Sequence, residues 1–342
     1  MDNPQTSIEG KKIEGKKIWN HRGPVVFSAL FDWPPKPVPA LIALTKRWVT
    51  LTRNVLFLLM AISVYNLILP DLAAMKTLST HWILSAFARN VILLVVVAGG
   101  LHLYFFTFRG QGNKLKFDPR ERMETSRKFT FKNQVHDNIF WSLASGVTIW
   151  TVYEVLYFWG AANGVIPTLT LSENPLGILA FILWLVVLPL LLSSHFYLIH
   201  RLLHWPPLFN RFHRLHHYNI HIGPWSGMSM HPVEHIIYIS SVLVHFVIAS
   251  HPVIVLLHLY TRCMAPAFSH SGFEKLLVKD KTITEAADFH HQLHHKYFEC
   301  NYGNVDAPWD RWFGSVHDGS DEATVKVQER RRQMYKNRKQ IA

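Results

Sequence analysis

Four apolar stretches of bilayer-spanning length confine this chain to a small set of folds. They run from about Val49 to Leu69, Val91 to Phe108, Ile139 to Trp159 and Leu176 to Ser194. A hydrocarbon core about 30 Å thick takes about 20 helical residues to cross. Nothing in that layer satisfies a bare backbone, so what crosses it is a helix or a closed barrel, and runs this long predict helices. Lysine and arginine set the orientation. Ahead of the first span stand Lys11, Lys12, Lys16, Lys17, Arg22, Lys36, Lys46 and Arg47, whereas only Lys76 and Arg89 separate the first from the second. Arg109, Lys114, Lys116, Arg120, Arg122, Arg127, Lys128 and Lys132 come next, and Ala161 to Pro175 holds neither residue type. The alternation predicts a cytosolic N-terminus, two helical hairpins, and a chain back on the cytosolic side by His195.

A fifth apolar stretch, Ile236 to Ala267, is broken at Ser250-His251-Pro252. Histidine clusters flank it on both sides and must meet at one site, so both of its ends face one compartment. A buried or re-entrant hairpin or a tight pair of spans satisfies that condition, and a single crossing does not. The expected fold is therefore an all-α integral membrane protein. Residues 1–47 form a basic cytosolic arm and residues 48–194 a transmembrane base of four helices. Residues 195–320 form a cytosolic histidine-rich cap with a di-metal catalytic region, and residues 321–342 a basic tail.

The formal charge of +12 gathers in the N-terminal region, the middle loop and the tail. That suits an anionic membrane face. No recognition helix or zinc-finger spacing points to nucleic acid. Cys263 and Cys300 are too few for a disulfide framework and lack C-x-x-C spacing. The first 47 residues, interrupted by Pro34, Pro35, Pro37 and Pro39, show no secretory signal pattern. A short duplication, Ile8 to Lys12 then Ile13 to Lys17, reads as a basic arm.

The chemistry lies in three clusters: His200 with His204; His213, His216 and His217; and His291, His294 and His295. Residues three or four apart share a helix face, so each cluster aims its imidazoles one way. Trp205-Pro206-Pro207 ends the first helix and folds the first two clusters together. Eight imidazoles exceed one tetrahedral site, and two metals with four or five ligands each need them all, plus one or two from His231, His235 and His270. Imidazole alone does not choose among zinc, copper, iron and nickel. Glu234, Asp288 and Asp310 are the nearest carboxylates able to take a ligand's other ring proton. His195 and His290 sit off the ligand faces, and His245, His251 and His258 line or cap the site. His21, His81, His102, His136, His221 and His317 read as lone packed or surface residues. Glu154 is the one acid inside a predicted span, which marks either a functional site or the outer interface.

The order His-x-x-x-His, His-x-x-His-His, His231-Pro232-Val233-Glu234, His270-Ser271-Gly272-Phe273 and His-x-x-His-His resembles the fatty acid hydroxylase/sterol desaturase superfamily. It is nearest in look to the sterol desaturases and methylsterol oxidases. Asn301-Tyr302-Gly303-Asn304 and Trp309 to Gly314 resemble the closing signature of that superfamily. The match covers roughly residues 193 to 315. The resemblance implies a four-helix base under a cytosolic cap and two iron ions, with zinc able to replace them on purification. It implies an O2-dependent hydroxylase or desaturase of a lipid or sterol-like substrate, in a bacterial inner membrane or the endoplasmic reticulum. Carried over, the ligands are the clustered histidines with His231 and His270, while His235 has no firm counterpart. Ser193 stands where relatives often carry an acid. No segment resembles a fused haem domain, so a separate reductase or electron-transfer protein is implied.

The rival reading is a membrane metal-transport or metal-binding protein. It needs ionisable groups lining a path through the spans. Past Arg53 the first span has none, the fourth has none, and the second has only His102. A haem cytochrome needs paired histidines within the spans rather than triplets beyond them.

Overall fold

The computed structural model describes residues 12–13, 16–17, 25, 27–49, 52–118, 125–171 and 175–341. Residues 1–11, 14–15, 18–24 and 26 of the basic arm lie outside the described residues. Within it, β1 (Lys12–Ile13) pairs antiparallel with β2 (Lys16–Lys17). Helices α1 (Pro37–Val49) and α2 (Arg53–Leu67) follow, bent by 44° where they meet. Three helices are each long and apolar enough to cross a bilayer: α3 (Thr80–Thr107), α4 (Gln134–Ala162) and α5 (Pro175–Leu203). The bent α1–α2 pair makes a fourth only when taken as one element. Three of the expected spans thus lie where the hydropathy placed them, but longer. The 29 residues of α5 extend about 44 Å at about 1.5 Å per residue. That is enough to cross a core of about 30 Å and still carry His200 on its last turns.

The broken apolar stretch becomes α6 (Pro232–Ile239), tightened into a 3-10 turn over Ser240–Phe246, and then α7 (Pro252–Ser269). Proline in the first turn and a ring-nitrogen cap from His251 to Val253 N, 3.2 Å, start α7 cleanly. The two ends of this hairpin return to one place, since Glu234 bonds His213 and His270 meets His295. Its tip packs at the opposite end of the bundle. There Leu169 N donates to Ser250 O at 3.2 Å and Trp184 Nε1 to Ala249 O at 3.2 Å. Along α7 only Thr261, Ala265 and Ser269 are partly accessible, as expected of a helix apolar on nearly every side. It is the central post, in contact with α2, α4, α5 and α6.

A string of hydrogen bonds runs along that post. Arg262 Nε donates to Ser241 Oγ (2.9 Å), which meets His258 Nε2 (2.8 Å). His258 Nδ1 meets His245 Nε2 (2.9 Å), and His245 Nδ1 meets Ser250 Oγ (2.7 Å), whose hydroxyl donates to Ile248 O (3.0 Å). His245 and His258 therefore belong to the hairpin interior, His251 caps α7 at the tip against Tyr65 and Phe181, and none of the three lines or caps the histidine clusters. His195 lies between Arg262 Nη2 and Ser240.

Between α3 and α4, Arg89 donates to the Glu154 carboxylate, while Asn90 Nδ2 reaches Glu154 Oε2 at 3.0 Å and Thr151 Oγ1 at 3.2 Å. All four side chains are buried. Glu154 is an interior ion-pair partner, which replaces the interfacial alternative.

The polar C-terminal part is not purely helical. β3 (Lys275–Val278) and β4 (Lys281–Glu285) form an antiparallel hairpin. Lys279 and Asp280 turn it with φ of 49° and 63°, the geometry of a tight two-residue hairpin turn. Then come α8 (Phe289–Tyr297), α9 (Trp309–Trp312) and α10 (Asp321–Ile341).

Candidate metal centre

Nine buried histidines converge in two groups: His200, His204, His213, His217 and His294, and His216, His270, His291 and His295. In each group the facing nitrogens lie within 4.8 Å of one another. The triplets do not point one way. Each sends an i, i+4 pair into one group, His213/His217 or His291/His295, and its remaining ring, His216 or His294, into the other. On α8 successive residues are turned by about 100°, so His295 returns to within about 40° of His291 while His294 falls about 60° to the other side. The second triplet reaches the same division across a π turn that ends at His213 and a 3-10 turn that begins at His216. The sequence spacing thus builds two adjacent sites interlocked by exchange.

Burial first, and neighbouring imidazoles second, hold the pKa of His213, His217, His294 and His295 well below the ordinary histidine range. His216 is lowered to about 4 by burial, against an opposing hydrogen bond to Ser229. Their Nδ1 atoms face outward. His200 meets Tyr302 O (2.6 Å), His294 meets Cys300 O (2.6 Å), His270 meets Pro266 O (3.0 Å), His295 meets Asn219 O (3.2 Å) and His216 meets Ser229 O (3.3 Å). His213 Nδ1 lies 2.6 Å from Glu234 Oε1. A carbonyl only accepts, so in these five rings Nδ1 carries the proton and Nε2 presents a lone pair, and the Glu234 carboxylate, when ionised, holds His213 the same way. Yet His200 Nε2 lies 3.0 Å from His213 Nε2, and His270 Nε2 lies 3.0 Å from His295 Nε2. Two lone pairs at that distance repel, and a cation between them turns the repulsion into ligation. The donor set fits a metal in each group, with Glu234 and the carbonyls in the orienting role.

His231 and His235 lie outside both groups. The His231 ring caps α6 by accepting from Val233 N and packs on Phe212. Both ring nitrogens of His235 are engaged, with Ser145 Oγ (2.9 Å) and Met228 O (3.1 Å). His270, the third supplementary candidate, stands inside the second group. His290 is buried 3.6 Å from Asp310. His317 is no surface residue, being buried and stacked on Tyr297.

Of the three candidate carboxylates only Glu234 reaches a clustered ring. Asp288 caps α8 by accepting from His291 N (2.8 Å). Asp310 accepts from Tyr302 N (2.9 Å), Gly303 N (2.7 Å) and Ser315 Oγ (2.6 Å), which fixes the Tyr302 carbonyl on His200. The closing signature therefore acts on the site through the backbone. Sequence reading missed Asn219, whose carbonyl orients His295 and whose side chain accepts from Gln134 (2.8 Å) and Asn138 (2.9 Å). Paired amides at the head of an apolar helix were the available signal. Gly227 is required by close approach, because a Cβ there would stand 2.3 Å from Pro266 O, the acceptor that orients His270.

A crevice between α2, α5 and α7 leads to the centre. Leu188, Leu192, Phe196, Tyr238, Leu257 and Ser193 line it, and His200, His213, His216, His270 and His291 form its end.

Residues 184–315 match the family model described as fatty acid hydroxylase. A Delta(7)-sterol 5(6)-desaturase of Eremothecium gossypii is 32% identical over 133 residues, 37% of this chain and 35% of that protein. A Delta(7)-sterol 5(6)-desaturase of Aspergillus fumigatus is 27% identical over 283 residues, 73% of this chain and 83% of that protein. The lathosterol oxidase of Homo sapiens is 27% identical over 154 residues, 44% of this chain and 50% of that protein. The chain spans about a third of the length of the first curated relatives it matches. No solved structure matches it at comparable significance.

Proposed function

We propose that this chain, which belongs through residues 184–315 to the fatty acid hydroxylase/sterol desaturase superfamily, is a membrane-bound di-iron oxygenase of a sterol-like lipid. One observation carries the reading: two interlocked groups of imidazoles aim bare lone pairs at each other at the end of an apolar crevice. The names of the relatives supply the lipid class, and redox metal supplies the oxidising chemistry when bound. The residues do the rest. His200, His204, His213, His217 and His294 hold one ion, and His216, His270, His291 and His295 the other. Glu234 and the five carbonyls keep the ring protons on Nδ1. Apolar crevice walls orient an aliphatic segment and exclude water that would otherwise quench the oxidant.

Hydroxylation consumes O2, two electrons and two protons to give an alcohol and one water. Desaturation consumes the same and gives a double bond and two waters. The geometry accommodates either. Residues 195–320 form the catalytic region in this reading and residues 48–194 the base. The bent α1–α2 pair supplies the fourth span, the site faces the cytosol, and an inner membrane or endoplasmic reticulum houses the protein.

Protein purified without added zinc is expected to carry about two iron atoms per chain by elemental analysis, and to form an O2-dependent product in lipid extracts. One metal per chain, or product formed without O2, would end the reading. Zinc in the preparation is tolerated by imidazole sites and decides nothing.

The arrangement in the membrane has its own test. Cysteines placed at residues 112–118 are expected to label only from the cytosolic side, and those at residues 163–170 only from the other. Residues after Gly314 share the cytosolic side. Labelling of that tail from outside would mean that the apolar stretch after His235 crosses once, which a shared metal site forbids.

A further inference from the structure

The metal centre approaches the protein surface on a second side, away from the lipid crevice. A hollow there is lined by His217, a ligand of the five-histidine group, and by Lys128, Arg214 and Arg331. These cations come from the basic loop after α3, the second histidine cluster and the basic C-terminal helix. Charge alternation predicts the loop and the C-terminal helix on one side of the membrane. None of the three pairs with a carboxylate among the described residues. The hollow's acid, Glu299, accepts a hydrogen bond from Tyr302 at 3.0 Å. Phe298 also lines it, its backbone held at φ 68° and its ring 4.8 Å from that of His217. The Arg331 guanidinium lies 5.8 Å over the Phe298 ring, and that of Arg214 lies 6.0 Å over Tyr218.

We propose that this hollow docks an acidic one-electron carrier protein, whose electrons enter the metal centre through His217 with Phe298 packed beside it. The assignment rests on the oxygenase reading above, which requires two external electrons per O2. Three cations that pair with no carboxylate among the described residues, beside an acid already engaged by Tyr302, select a partner of opposite charge and speed its encounter. His217 lines the same hollow, so a carrier docked among these cations sits against a ring of the five-histidine group. Each docking passes one electron, leaves the carrier oxidised by one, and frees the hollow for the next. Two dockings balance the reactions written above, with both protons drawn from water. The crevice and the hollow are lined by different histidines, so a bound substrate does not block reduction.

The test compares wild type with Lys128→Glu/Arg331→Glu in membranes of the producing cell, which hold its own carrier. Lipid product is measured with NADH or NADPH as the electron source, and separately with dithionite. The pyridine-nucleotide rate is expected to fall by about tenfold or more in the variant and to fall with added salt in wild type. The dithionite rate is expected to stay within about twofold, since a small reductant needs no docking. An unchanged pyridine-nucleotide rate would overturn the assignment. So would an equal fall in both arms, repeated in the milder Lys128→Gln/Arg331→Gln, because the cations would then serve the fold. Wild type without product in either arm contradicts the oxygenase reading itself, a failure distinct from both.

Discussion

Replacing His294 by alanine is expected to reduce lipid product by more than about a hundredfold and to remove metal in the same step. Changes to residues that merely orient a metal ligand cost roughly 10–100-fold, and loss of the ligand itself exceeds that. His294 sits in the third triplet but serves the five-histidine group, whereas its neighbours His291 and His295 serve the other. Its removal should therefore depress iron at one site while the second keeps four rings. His216→Ala is the mirror case, leaving its own group with three. Glu234→Gln keeps the shape while weakening the hold on His213, so it belongs in the roughly 10–100-fold range. His136→Ala, at an exposed position, should change neither quantity. Iron content and turnover measured side by side decide the matter. Wild-type values for both in His294→Ala would remove the basis of the two-site reading.

The second large effect concerns folding. Glu154→Ala or Arg89→Ala each strands one buried charge between α3 and α4, and breaking such a pair typically costs about 3–5 kcal/mol. Asn90 can solvate a carboxylate through its hydrogen bond to Glu154 Oε2 but cannot neutralise it. The double change Arg89→Met/Glu154→Leu removes both charges with similar bulk and should recover most of the loss, since apolar replacement of a whole pair is often neutral or better. The fraction of protein remaining monodisperse after graded heating in detergent measures all three. Single variants as heat-resistant as wild type would show that water reaches the pair.

Much of this was legible beforehand because it depends on spacing. Long apolar runs fixed three spans, and the i, i+4 repeats paired His200 with His204, His213 with His217 and His291 with His295. What spacing could not show was its own remainder. The 60° by which i+3 falls short on α8 sends His294 into the opposite group, the π and 3-10 turns around His213 and His216 do the same for His216, and both emerge only when three segments are packed together. Carbonyls of Tyr302, Cys300, Asn219, Ser229 and Pro266 orient five rings, and every residue has a carbonyl, so no residue type announces them. His235 carries the right spacing from His231 but finds Ser145 and Met228 before any metal group. His317 looked solitary because its partners, Tyr297 and Thr324, flank it at no regular interval. The β3–β4 hairpin escaped notice because Lys275–Val278 and Lys281–Glu285 lack the alternation that marks a half-buried strand.

The string from Arg262 to Ser250 bears on whether protons can run from the tip of the hairpin toward the histidine clusters. Its hydrogens are assigned from both ends. Ser250 gives its proton to Ile248 O, so His245 must give its own to Ser250 and accept from His258. His258 in turn accepts from Ser241, which accepts from Arg262. Every donor is committed in one direction, and the member nearest the crevice is a permanent cation that does not release its proton. A proton arriving at the far tip would have to reverse each link in turn while moving toward a positive charge. A row of histidines that resembles a conduit is in this arrangement an insulator.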